Sequence, residues 1–438
     1  MPFLPYRRYP KPAETQPPVQ FLYRPTSVPE LAENVGVWDV SGQGGAAARG
    51  TETTMKDETT TMTRGKTGPG IDWIARAQRV AAELALDAAE HDADDSFVAG
   101  GYGLLKREGF FKAHVPVELG GGGASYGELC RIVRILAGAC GSTGLAFSMH
   151  CHLVAVAVWR WRNEGAPTDG LLRRVAAEDL VLVSSGGSDW LQGAGVAVKV
   201  DGGFRITARK GFSSGSPAGD LLMTSAVHDD PDAGPTVLHF AVPLTAEGVS
   251  RHDTWRAMGM RGTGSGDVEI RDFFLADAAI SGRRPQGKWH PLFHAISQLA
   301  FPIIYSAYLG VAEGARARAL EALRRRVPDE GLILTTGEME NAFATAELAV
   351  QAMIDNAEAS RPGPESTNRA MIGRTLAGQA AIRTVERAME AVGGAAFHRA
   401  FGLERAFRDV QGARFHPLQE KPQLRYAGRL ALGLDIDG

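Results

Sequence analysis

Apolar residues change their spacing twice along the chain, and the two changes divide it into domains. From Trp73 onward, Trp73, Ala77, Val80, Ala81, Leu84 and Ala88 keep the 3.6-residue period of a helix that buries one face. Further helices are expected through Phe97, Leu104 and Leu105, through Tyr126, Leu129, Val133, Leu136 and Cys140, and from about Leu145 to Arg162. Near Leu180 the runs turn short and strand-like: Val181–Val183, Ala197–Val200, Phe204–Thr207, Leu221–Met223, Val237–Val242 and Val268–Ile270. Asp201-Gly202-Gly203 between two of them is a hairpin turn. After Pro291 helical patterns return at roughly 292–326, 337–360, 367–392 and 420–432.

The expected fold is therefore α+β and multidomain. A helical N-terminal domain covers 71–178, an antiparallel β-barrel-like middle domain 179–290, and a C-terminal helical bundle 291–438. Residues 1–70 stand apart. Pro2, Pro5, Pro10, Pro12, Pro17 and Pro18 precede the Thr-rich runs at Thr51–Thr54 and Thr59–Thr61, with no periodic apolar positions. Such a stretch cannot offset its ordering entropy and is expected to be a disordered extension, with Met55 and Met62 as alternative starts.

Composition narrows the partners more than the chemistry. A net charge of -3 gives no basic footprint for nucleic acid and no attraction to a membrane surface. No apolar run reaches the ~18 residues of a membrane span, and no signal peptide is visible. Cys130, Cys140 and Cys151 are the only cysteines, and without CxxC or His-rich spacing they suggest no metal and a reduced, cytoplasmic protein. Gly120–Gly123 and Gly262-Thr263-Gly264-Ser265-Gly266 fit neither a Rossmann nor a P-loop spacing and read as turns.

Five segments in order carry a family resemblance. They are Leu119-Gly120-Gly121 with Ser125-Tyr126, Val183 to Asp189, Lys199 to Phe204, Lys210 to Gly215, and Met258 to Thr263. Near the C-terminus Gly393-Gly394 is followed by Arg408-Asp409 and then by Phe415-His416-Pro417-Leu418. Over residues 73–438 the chain resembles the acyl-CoA dehydrogenase superfamily.

The resemblance implies FAD between the last two domains. It puts the backbone amides of Val183, Ser184 and Ser185 and the hydroxyl of Ser214 at the flavin ring, where charge collects on reduction. Phe212 would shield one ring face, Gly393 and Gly394 would cradle the pyrophosphate of a neighbouring subunit, and Ser188 would sit near the CoA phosphates or the acyl thioester. A homodimer or homotetramer is implied. Arg324-Arg325-Arg326-Val327-Pro328 stands where the family has Arg-x-x-Phe-Gly on the adenine side.

Two reactions and a binding role follow. The family reaction is α,β-dehydrogenation of an acyl-CoA thioester, with a separate electron acceptor and a Glu as base. Counting from Arg408-Asp409, that Glu falls on Pro417, and its alternative location falls near Leu299 or Ala300. His416, one residue away, is then the best candidate base, because imidazole titrates near ~6.5. The alternative is a monooxygenase using reduced FMN or FAD from a flavin reductase, with oxygen activated in a dry pocket and guided by His150 and His416. A non-catalytic flavin or acyl-CoA binder would have kept the scaffold and lost the base. His150 and His152, two apart on one expected helix, point to different faces.

Overall fold

Residues 71–438, apart from Gly186 and Ser188, are described by a computed structural model. The expected disordered extension over 1–70 and the expected substrate residue Ser188 lie outside the described residues.

Five helices open the described chain: α1 (Trp73–Asp94), α2 (Ala99–Arg107), α3 (Tyr126–Ala139), α4 (Gly141–Glu164) and α5 (Asp169–Glu178). Helix α1 buries the six residues picked out by the 3.6 period, and the Asp72 carboxylate caps it by accepting from the Ala75 amide. Ser125 and Glu128 form a reciprocal capping box that starts α3. Phe97 precedes α2 rather than lying within it, and Cys140 caps α3. Helix α4 is apolar nearly all round and buried on most of its length. The three cysteines are buried in or beside α3 and α4, and all are free thiols.

The middle strands are β1 (Leu182–Ser184), β2 (Val196–Val200), β3 (Gly203–Lys210), β4 (Leu221–Asp230), β5 (Gly234–Pro243), β6 (Val249–His252), β7 (Asp267–Ala276) and β8 (Gly282–Pro285). They form one sheet in the order β6-β7-β3-β2-β4-β5-β8, with β1 joined to β4. The Asp201-Gly202-Gly203 turn does link an antiparallel pair, β2 and β3. The expected antiparallel β domain is present with two parallel contacts added: β1 runs parallel to β4, and β2 meets β4 in the parallel sense at Val196 and Val227. The chain enters β1 from the helical domain, and the β2–β3 hairpin then supplies the long crossover that a parallel pair requires. Edge strands β6 and β8 carry too few apolar residues to announce themselves in sequence.

The C-terminal helices are α6 (Pro291–Leu323), α7 (Glu330–Ala359), α8 (Pro364–Val392), α9 (Leu403–Val410) and α10 (Glu420–Ala431). Helices α4 and α6 are long and apolar enough to cross a bilayer, which the reading of apolar runs alone missed. Their most apolar windows are 83% and 94% buried within the protein, as expected of core helices. Helix α6 crosses α3 at glycines. A Cβ on Gly310 would lie 2.1 Å from the Arg134 carbonyl oxygen, and one on Gly314 would lie 2.4 Å from that of Gly138. Gly310→Val should therefore force the helices apart and cost about 1–3 kcal/mol, read as a lower urea midpoint with an unchanged slope.

Candidate active site

The helical and β domains leave two cavities that share a wall. The larger, about 660 Å³, opens past Phe212, Trp255 and Met258 and reaches Arg408 and Gln411. The smaller, about 280 Å³, runs from His152 to His239 between Phe293, Phe301 and Trp190. Met149, Ser184, Gly187, His416 and Pro417 line both. His416 thus stands at the junction, and Ala300, at the alternative base position, lines the smaller cavity without a carboxylate.

The turn carrying His416 is held from α8 and α6. The Arg374 guanidinium is buried and donates to the Tyr305 hydroxyl (2.7 Å), the Ala413 carbonyl (2.8 Å) and the Leu418 carbonyl (2.6 Å). The Tyr305 hydroxyl donates in turn to the Ala413 carbonyl at 2.7 Å. His416 Nε2 lies 2.7 Å from the Tyr308 hydroxyl. Tyr308 is buried, which raises its pKa well above the usual 10, so it keeps its proton. A buried phenol needs an acceptor, and Nε2 is its partner among the described residues. His416 therefore carries its own proton on Nδ1. Burial first, and then the Arg374 charge, lower its pKa to about 3, so the ring is neutral.

His152 complements it. Its Nδ1 donates to the Ser148 carbonyl at 3.3 Å, one helical turn back, which leaves Nε2 as an acceptor. Burial lowers its pKa to about 4. His150, expected to guide catalysis, lines neither cavity. Its Nδ1 accepts from the Leu182 amide (3.0 Å) and its Nε2 donates to the Phe111 carbonyl (2.7 Å). Both ring nitrogens are spent on joining α4 to β1 and to the segment after α2. The structure does not bring His150 to His416; it brings His152.

The remaining expected residues separate into near and far. Ser184 is in the shared wall, and Ser185 lines the smaller cavity with its hydroxyl donating to Thr224 at 2.7 Å. The Ser185 amide is taken by the Met223 carbonyl, and Val183 is buried in the β core, paired with Leu222 of β4. Ser214 joins Ser265 (2.7 Å) and Thr263 (2.6 Å from Ser265) in a hydroxyl chain along the larger cavity. Phe212 is 56% exposed at the same rim, with φ of 55°, a conformation that bulky residues rarely hold outside functional sites. Gly393 and Gly394 are exposed at the end of α8, away from both cavities.

Arg408 and Asp409 hold the larger cavity together from α9. Arg408 pairs with Asp92 of α1 and with Glu404, while the buried Asp409 carboxylate accepts from the Met260 amide. Burial raises the Asp409 pKa to about 6. Asp189 is the one carboxylate among the described lining residues of the two cavities, and it forms a buried ion pair with Lys210 at 2.8 Å. No cluster of three or more His, Cys, Asp or Glu that could hold a metal occurs among the described residues.

Family models for the acyl-CoA dehydrogenase N-terminal, middle and C-terminal domains match residues 75–168, 184–273 and 303–420 in that order. The chain belongs to the acyl-CoA dehydrogenase superfamily. Within that superfamily it is 29% identical over 395 residues to a dibenzothiophene monooxygenase of Mycolicibacterium goodii, covering 80% of this chain and 91% of that one. It is 26% identical over 359 residues to a putative acyl-CoA dehydrogenase, YdbM, of Bacillus subtilis, covering 76% and 89%. Among solved structures, KijD3 in complex with FMN and a dTDP-amino sugar superposes with a TM-score of 0.77 at 25% identity, over 84% of this chain and 94% of that one. The acyl-CoA dehydrogenase fold thus extends over nearly all the described residues.

Proposed function

We propose that this chain is a reduced-flavin-dependent monooxygenase acting on a small, neutral, largely apolar molecule. The observation that carries the reading is the junction of the two cavities. It is occupied by a neutral imidazole backed by a buried phenol, and the family's carboxylate position is Pro417. Proton abstraction next to a thioester needs a base, and an imidazole with a pKa near 3 is a poor one. A neutral N–H facing a water-poor chamber is instead suited to hydrogen-bonding an oxygen atom. The likeness to dibenzothiophene monooxygenase supports the same choice.

The larger cavity suits a flavin. Phe212 and Trp255 offer ring faces at its rim, and the Ser214–Ser265–Thr263 chain offers hydroxyls, while Arg408 is held on Asp92 and Glu404 and braces the wall. FMN is favoured over the expected FAD: the family's adenine-side element is replaced by Arg324 to Pro328, and the superposable KijD3 holds FMN. When bound, fully reduced flavin would supply two electrons and two protons to dioxygen, so that one oxygen atom would enter the substrate and the other leave as water. His416 holds a proton at Nδ1 on the shared wall, and the Tyr308 hydroxyl fixes that tautomer through Nε2. His152 offers an acceptor at Nε2, and the aromatic walls of the smaller cavity keep water out. The reading includes a separate flavin reductase, a cytoplasmic setting and a homo-oligomer, in which the exposed Gly393-Gly394 turn meets a neighbour's cofactor phosphate.

The test supplies photoreduced FMN under oxygen with dibenzothiophene or indole as probe, and measures oxygen uptake and ¹⁸O in the product. Coupled uptake and label are expected. In parallel, the flavin-loaded protein is titrated anaerobically with acyl-CoAs; bleaching of the flavin by any of them would return the assignment to dehydrogenation. Phe212→Ala should weaken FMN binding by about tenfold, through loss of ~1.4 kcal/mol of stacking, as measured by fluorescence quenching.

A further inference from the structure

We infer that His239 is a specificity-determining residue that presents a fixed N–H donor to an oxygen acceptor on a flat, neutral substrate. This rests on the smaller cavity being the substrate chamber. His239 lies on β5 and lines that cavity, half-buried. Its Nε2 is 3.1 Å from Arg284 Nε. A guanidinium has no lone pair to give, so Arg284 must donate and His239 Nε2 must accept. The single proton of the neutral ring then sits on Nδ1, which has no hydrogen-bond partner among the described residues. Burial, followed by the Arg284 charge, holds the ring neutral, with a pKa near 3.

Arg284 does more than fix the tautomer. It is almost fully buried and donates also to the Leu191 and Trp190 carbonyls, and its guanidinium lies 4.3 Å from the centre of the Phe293 ring. One cation therefore ties together the imidazole, an aromatic wall and the loop bearing a second one. Trp190 meets Phe293 edge-on at 4.9 Å and lies 6.1 Å from Phe301.

Arg284 has no carboxylate partner among the described residues, but it lies behind the imidazole and does not line the cavity, whose own charged residues are paired. Arg160 is paired with Glu164 at 2.9 Å and Asp189 with Lys210 at 2.8 Å. Neither leaves a free charge for an ionic ligand. About 280 Å³ is at the small end of ligand pockets and suits two or three fused rings better than an acyl-CoA. The fixed donor at His239 then recognises a carbonyl, ether or sulfoxide oxygen on such a ring system.

The probes are 9-fluorenone and fluorene, which share a three-ring skeleton and differ by the ketone oxygen. Their affinities are measured by calorimetry on the oxidised, FMN-loaded protein, where no turnover occurs. The wild type should prefer the ketone by up to about tenfold, the worth of one hydrogen bond in a closed site. His239→Leu should abolish the preference and leave fluorene binding within about twofold. His239→Asn, whose amide N–H reaches the place of Nδ1–H, should retain it. Nitrogen-15 shifts of the unmodified protein should report Nδ1 protonated and Nε2 bare, independently of whether any variant folds.

The inference is overturned by the opposite tautomer, by a wild type that binds neither probe or shows no preference, or by an equal loss of both probes in His239→Leu. None of these readouts depends on oxygenation. Bleaching by an acyl-CoA would remove the monooxygenase reading and leave the ketone preference standing.

Discussion

Replacing His416 by alanine is expected to lower oxygenation by about 10²–10³-fold, the usual worth of a positioned hydrogen-bond donor. FMN affinity should change little, because the ring meets the shared wall rather than the Phe212 rim. Oxygen uptake should continue and appear increasingly as hydrogen peroxide, so the ratio of product to oxygen consumed falls. Tyr308→Phe should give a smaller loss of the same kind. The imidazole remains, but its tautomer is no longer fixed by the 2.7 Å bond to the phenol. Unchanged coupled turnover in His416→Ala with FMN bound would remove His416 from the mechanism.

The largest effect on stability is expected at His150. His150→Phe keeps an aromatic ring in the core and strands both the Phe111 carbonyl and the Leu182 amide. Each unpaired buried group costs about 1–3 kcal/mol, so a loss of about 2–6 kcal/mol is expected in chemical denaturation, with the active-site geometry otherwise retained. The wild-type residue also sets an acid limit. Burial lowers its pKa from 6.5 to about 4, so the folded state binds its proton less tightly than the unfolded chain does. That stabilisation is fully present above pH ~6.5 and is lost as pH falls towards 4. At ~1.4 kcal/mol per unit it amounts to about 3 kcal/mol. His152 and His416 act in the same direction, with a smaller share for His416 because it is half-open to the cavities. Unfolding free energy measured from pH 7 to 4 should therefore fall steeply in the wild type and less steeply in His150→Phe.

How far the sequence carries can be judged from particular residues. Helix α1 was legible because one face is solvated, so the 3.6 period picks out all six of its buried residues. The parallel pairing of β1 with β4 was not legible, because alternation along a strand encodes which face is buried and not which strand lies alongside. Counting from Arg408-Asp409 pointed to His416, and the structure places that residue on the wall shared by the two cavities. His150 was expected at the site, whereas the structure puts His152 and not His150 on a cavity wall, for a physical reason. Helix α4 is apolar nearly all round, and no polar stripe says which side meets a cavity and which the core.

Those two histidines flank Cys151, a buried free thiol in the middle of α4. Burial raises the pKa of this thiol well above 9, so at neutral pH it is neither exposed nor ionised in the closed protein. A thiol reagent can reach it only while α4 is transiently detached from its neighbours. The labelling rate of Cys151 thus serves as a built-in clock for how often the floor of the binding chamber opens, and any ligand that seats there should slow it.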